Sequence, residues 1–186
     1  MTREDMRQFV IDNCLLTGES VRLSGGGAAN FYFDCKRATL SGVFLEPLAD
    51  WVLSCAEELK PAADIVGGPS IGADFIAAAT VMRAAQRGLP WQHASIVRRE
   101  AKKHGTENKI ENEPSSSSRV LVVEDVITTG GSIARACDEF LEAGHVIAGI
   151  AAIIDRQAGG AEMLKDKYNA PVFALFCRDD FKELVK

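Results

Sequence analysis

Two kinds of apolar segment alternate along the chain. Short continuous runs read as strands covered on both faces: "DIVGG" (64–68), "HASIVR" (93–98), "RVLVV" (119–123), "HVIAGIAAIID" (145–155) and "PVFALF" (171–176). Between them, residues 45–59, 71–86, 132–144 and 160–168 carry apolar residues at helical spacing. Leu48, Val52 and Cys55 form the inner stripe of the first of these helices, and Gly144 stops the third. Nearer the start, Thr2 is placed to cap a helix, with Asp5 at the capping-box position and Phe9, Val10 and Cys14 facing inward. "VRL" (21–23) and "FYF" (31–33) predict two short strands around the loop "SGGGAAN". Strands alternating with helices predict an α/β fold with a central parallel sheet and helices on both faces. Functional groups then collect at the carboxyl ends of the strands.

One stretch breaks the alternation. Residues 99–118, "REAKKHGTENKIENEPSSSS", have almost no apolar content yet lie between two good strands. A connection this long inside a compact domain predicts a functional lid, with the serines at 115–118 as its flexible end.

Composition narrows the class. The 186 residues are 47% hydrophobic and 25% charged, which fits one soluble globular domain over residues 1–186. A net charge of −5 argues against a general nucleic-acid surface. No apolar run is long enough to span a membrane, and "MTREDMRQF" lacks the apolar core of a signal peptide. The five cysteines, at 14, 35, 55, 137 and 177, have no C-x-x-C spacing, and the three histidines have no metal-ligand spacing. Reduced thiols in a cytoplasmic protein are the expectation.

The chemistry concentrates in "VLVVEDVITTGGS" (120–132). A buried strand delivers Glu124 and Asp125 to the sheet edge. Thr128, Thr129, Gly130, Gly131 and Ser132 then lead into a helix. Backbone N–H groups at a helix N-terminus suit a phosphate monoester, and the hydroxyls add donors. Carboxylates accept hydrogen bonds from vicinal sugar hydroxyls. Phosphate beside two acids suggests a ribose 5-phosphate. The segment is neither a P-loop nor a dinucleotide-binding turn. A second cluster, Arg98, Arg99, Lys102, Lys103 and His104, is an island of positive charge in the lid. A mobile cationic strap suits a leaving group that gathers charge in the transition state.

The 120–132 segment resembles the phosphoribosyl-diphosphate (PRPP) binding motif of type I phosphoribosyltransferases. "VRREAKKHGTENKIE" (97–111) resembles the catalytic loop of the orotate phosphoribosyltransferases, and "NFYFDCKRATL" (30–40) and "DRQAGG" (155–160) fit that family in order and spacing. The resemblance covers residues 15–176. It implies the type I phosphoribosyltransferase fold, with a small hood from residues 1–40 and the chain's end. It implies transfer of ribose 5-phosphate from PRPP to orotate, with Mg2+ held mainly by PRPP's own oxygens rather than by a protein metal site. Lys102 matches the loop lysine most tied to catalysis, and Arg98, His104 and Asp125 match the rest of the catalytic set. Arg98, Arg99, Lys102, His104 and residues 124, 125 and 128–132 match PRPP-binding positions. Thr128, Arg156, Tyr32 and Phe33 match positions around orotate. "GGPSIGADF" (67–75) matches a turn beside the pyrophosphate, whose glycines let N–H groups approach ligand oxygens. A homodimer with the loop shared across subunits is implied as well.

The chain departs from the pattern at three places. Leu23 and Gly72 stand where many members have lysine, and Glu124 stands where a second aspartate is common. The competing readings are a purine phosphoribosyltransferase, a PRPP-binding regulator and an inactive relative. Arg156 and the 98–104 loop speak against the first, and the acidic balance against the second.

Overall fold

The computed structural model describes residues 1–22, 28–91, 93–100, 109–114 and 116–184. In chain order they form α1 (Arg3–Asn13), β1 (Leu15–Arg22), β2 (Ala28–Phe33), α2 (Lys36–Thr39), α3 (Gly42–Glu58), β3 (Ile65–Pro69), α4 (Gly72–Gln86), β4 (Ala94–Val97), β5 (Ile110–Glu111), β6 (Arg119–Ile127), α5 (Gly131–Glu142), β7 (Val146–Asp155), α6 (Gly160–Tyr168), β8 (Val172–Cys177) and a 3₁₀ turn (Arg178–Phe181).

The main sheet has six strands in the order β5-β4-β3-β6-β7-β8, all parallel except the two-residue edge strand β5. The order switches direction between β3 and β6. The chain leaves β3 for β4 on one side, then crosses back to β6 on the other. Ligands of open parallel sheets lodge at such a switch point, beyond the carboxyl ends of the strands. Strand β6 shows why its apolar run is unbroken. Leu121 and Val123 pack into a core with α1, α3 and α4, while Val120 and Val122 pack into a second core with α5 and α6. Both faces of the strand are covered, so no polar alternation survives.

The helix at the start forms as expected, with the Thr2 side chain accepting from the Asp5 N–H and the Asp5 carboxylate accepting from the Thr2 N–H. A separate antiparallel pair, β1 and β2, follows it. The chain's two ends meet here. The Arg3 guanidinium donates to the Leu175 carbonyl at 3.0 and 3.2 Å and pairs with Asp180. The Phe181 ring packs on Phe33 and Phe176 at 5.1 and 5.7 Å.

Several residues of the segment expected to form a lid, 99–118, are attached to the body of the protein, while 101–108 and 115 lie outside the described residues. Ile110 and Glu111 pair with β4, Asn112 exchanges hydrogen bonds with Ala94 and Ser95, and Lys109 forms an ion pair with Glu139. Ser117 donates to the Gly144 carbonyl at 2.7 Å, and the Ser118 N–H donates to His145 Nδ1 at 3.2 Å. Residues 110–112 are therefore joined to the β4 edge of the sheet, and Ser117 and Ser118 to the turn that precedes β7. They make their attachments by backbone and polar side chains, which an apolar count does not register.

Candidate active site

Strand β6 carries its pairing with β7 through to Ile127, four residues past the end of its apolar run. Glu124 and Asp125 are consecutive strand residues and point to opposite faces. Glu124 is 6% exposed. Its Oε2 accepts from the Ser132 hydroxyl at 3.1 Å and its Oε1 from the Asp125 N–H at 3.2 Å. Burial, then the charge of Asp125, push the Glu124 carboxyl up to about 8. Asp125 is only half-buried. The two acids expected to face a sugar together are thus unequal. Asp125 is the one open to a ligand, and Glu124 turns back into the protein.

Glu124 also accounts for Gly72. A Cβ on residue 72 would lie 1.4 Å from Glu124 Oε1, so the position expected to carry a lysine has no room for one while Glu124 keeps its place. Gly67 and Gly68, at the end of β3, have a different reason from the one expected. Their Cβ atoms would lie 2.3 and 2.2 Å from the carbonyl oxygens of Ser95 and Val123. Close strand packing demands those glycines irrespective of any ligand.

After Ile127 the backbone turns through Thr128 and Thr129 to Gly130, which holds φ 76° and precedes α5. No side chain caps this helix. Its first N–H groups lie at the sheet's switch point without a side-chain partner, an arrangement that suits an anion. The Ser132 hydroxyl is directed at Glu124.

The opposite wall is built around Phe31. The Arg156 guanidinium lies 5.1 Å from the Phe31 ring centroid, and that of Arg178 lies 5.6 Å from the same ring. Burial lowers the Arg156 pKa, and the like charge of Arg178 adds to the effect. Two guanidiniums on one ring are an arrangement that suits an anion with an attached plane. Tyr32 is half-buried and raises the Arg156 pKa, so it borders this group. Phe33 does not: it is 2% exposed and packs in the core against Phe181. Strand alternation separates the expected Tyr32–Phe33 pair and aligns Phe31 with Phe33. Phe31 and Arg178 were not singled out from sequence. Their signal was the register: Asp155 and Cys177 are partners on β7 and β8, so Arg156 and Arg178 follow at the same sheet edge.

On the other side of Asp125 lies a cavity of about 880 Å³, bordered by Lys36, Ser70, Ile71, Asp74, Arg98 and Arg99. The Ser70–Ile71 peptide within it is cis. Arg98 pairs with Glu111 at 2.9 Å, and Arg99 is exposed. Lys102, His104 and Leu23 lie outside the described residues.

The phosphoribosyl transferase domain family matches residues 75–179. Orotate phosphoribosyltransferase from Streptomyces coelicolor is 35% identical over 178 residues, covering 96% of each chain. The chain belongs to the orotate phosphoribosyltransferase family. A solved structure of the Mycobacterium tuberculosis orotate phosphoribosyltransferase superposes with a TM-score of 0.80 at 29% identity, covering 96% of this chain and 97% of that one. The same enzyme in complex with 5-phospho-α-D-ribosyl 1-diphosphate gives a TM-score of 0.72 at 26% identity, with 96% and 90% covered. The mixed α/β architecture with its mostly parallel sheet is that of a type I phosphoribosyltransferase. Orotate phosphoribosyltransferases are pentosyltransferases.

Proposed function

We propose that this chain transfers ribose 5-phosphate from PRPP to orotate, giving orotidine 5′-monophosphate and pyrophosphate in de novo pyrimidine synthesis. The observation that carries the reading is the N-terminus of α5 without a side-chain cap, one short turn after the strand that carries Asp125, at the sheet's switch point. The 5-phosphate takes the N–H groups of residues 130–132 with the hydroxyls of Thr128 and Thr129. Asp125 accepts from the ribose hydroxyls. The orotate carboxylate meets Arg156, with Thr128 and Tyr32 beside the ring. The ring nitrogen bonds to C1 of the ribose as the C1–O bond breaks, the bonding pair leaves with pyrophosphate, and the proton of the ring nitrogen is released to solvent. Arg98, Arg99, Lys102 and His104 meet the charge that grows on that leaving group.

Mg2+ enters as the PRPP complex, held mainly by PRPP's oxygens. Asp125 is the half-buried carboxylate nearest to that reading. Two copies form a homodimer in which the loop serves the neighbouring subunit. No described helix is long and apolar enough to cross a membrane, and the chain works in the cytoplasm on small-molecule substrates, without nucleic acid. The paired guanidiniums favour a base bearing a carboxylate over a purine. The test is loss of orotate absorbance on mixing enzyme, orotate, PRPP and magnesium. No loss with orotate, and turnover with a purine base instead, would overturn the reading.

A further inference from the structure

The turn between β3 and α4 carries no cation. Residues 67–75 hold one charged side chain, and it is the acid Asp74. Position 72 could not supply a cation without a rearrangement. A Cβ there would lie 1.4 Å from Glu124 Oε1, 2.6 Å from Glu124 Cδ and 3.1 Å from Asp125 Oδ1. To make room, Glu124 would have to give up its hydrogen bonds with the Ser132 hydroxyl and the Asp125 N–H. A polyphosphate beside this turn must find its positive charge elsewhere.

The cavity of about 880 Å³ that adjoins the turn has basic residues on two walls. Arg98 and Arg99 come from the end of β4, and Arg98 is engaged with Glu111. Lys36 comes from α2, a different element. Its side chain is 47% exposed and pairs with Asp34 at 3.0 Å. The Asp34 partner, and behind it the charges of Tyr32 and Asp125, raise the Lys36 pKa. Its ammonium therefore lies within electrostatic reach of the acid open to ligand. Asp34 restrains the long side chain near the cavity without burying it, which lowers the entropy lost when a ligand engages it.

We propose that Lys36 is a cationic contact for the pyrophosphate group of PRPP, supplied from α2 because the turn at residues 67–75 carries no cation and Glu124 occupies the space beside Gly72. The proposal rests on PRPP binding at the β3–β6 switch point. Lys36→Ala, Lys36→Gln and Lys36→Arg are compared with the wild-type enzyme. Three readouts are taken: the Michaelis constant for PRPP, inhibition by magnesium pyrophosphate, and inhibition by ribose 5-phosphate. Removing a charged hydrogen-bond partner should weaken PRPP and pyrophosphate by about tenfold or more. Ribose 5-phosphate, which lacks the pyrophosphate, should change by less than about twofold, and Lys36→Arg should recover most of the loss. Lys36→Gln keeps much of the side chain's length, so it reads the charge if the alanine variant folds poorly. Unchanged pyrophosphate inhibition in folded Lys36→Gln overturns the proposal. Equal weakening of pyrophosphate and ribose 5-phosphate overturns it too, because the Lys36–Asp34 pair would then only be supporting the site. Wild-type enzyme that fails to consume orotate with PRPP would bring down the functional reading and the proposal with it, and that result is seen before any variant is made.

Discussion

Glu124 and Asp125 are adjacent in sequence but occupy different environments, and the difference has a pH signature. The unfolded Glu124 carboxyl titrates near 4.5 and the folded one near 8. Between those values the folded chain keeps a proton that the unfolded chain has lost. Stability therefore falls as pH rises through this window, and below it the effect vanishes. Glu124→Gln should flatten that part of the profile, so melting temperatures at pH 5 and pH 8 should differ less than in wild type. An unchanged difference would mean that Glu124 is ionised throughout. The two glycines of the phosphate turn separate in the same way. A Cβ at Gly130 would sit 2.8 Å from Met163 Cε on a positive-φ backbone, whereas at Gly131 the nearest atoms lie at 3.8 Å. Gly130→Val should lower the melting temperature. Gly131→Val should leave it near wild type while raising the Michaelis constant for PRPP, because its side chain blocks the helix N-terminus rather than the core. An unchanged constant in folded Gly131→Val would mean that the 5-phosphate binds elsewhere.

The elements were legible where burial imposed a period. Strands β3, β4, β7 and β8 and the helices α3 to α6 lie within a few residues of their expected positions, because each must hide one or both faces. Helix α2 and strand β5 were not legible. Four residues and two residues are too short to show a period, and polar contacts hold β5 in place. Strand β6 ran on past its apolar stretch because pairing with β7 satisfies the backbone around Glu124 and Asp125 despite their poor strand propensity. The phosphate turn was legible from its residue types. The base wall was only half legible: Arg156 was found, but Phe31 and Arg178 depend on strand register. That wall makes its own prediction. Arg156→Ala should raise the Michaelis constant for orotate by roughly 10- to 150-fold, the usual range for losing a charged hydrogen-bond partner. The constant for PRPP should move little. Equal weakening of both substrates would remove the assignment of Arg156 to the base.

At the scale of the whole molecule, the proposed function pairs two copies, with the loop of one serving the other. Lys102→Ala should lower turnover by about 10²- to 10³-fold, the typical loss for one transition-state donor. If the loop acts across a dimer, Lys102→Ala and Asp125→Ala enzymes, each nearly inactive, should complement when mixed and reassorted. Random assortment makes half the dimers mixed, each with one intact site, so about one quarter of wild-type activity should return. No recovery, with subunit exchange shown, would assign Lys102 to its own subunit or couple the two sites.

The joining of Arg3 to Leu175 spans 172 residues of sequence. Closing so long a loop is slow. Arg178 and Phe181 follow Leu175 on the same segment, whereas the phosphate turn is set by the pairing of β6 with β7. The wall around Phe31 therefore depends on a long-range closure that the phosphate turn does not use. Trimming the chain before Arg178 should abolish orotate binding while titration calorimetry still detects PRPP.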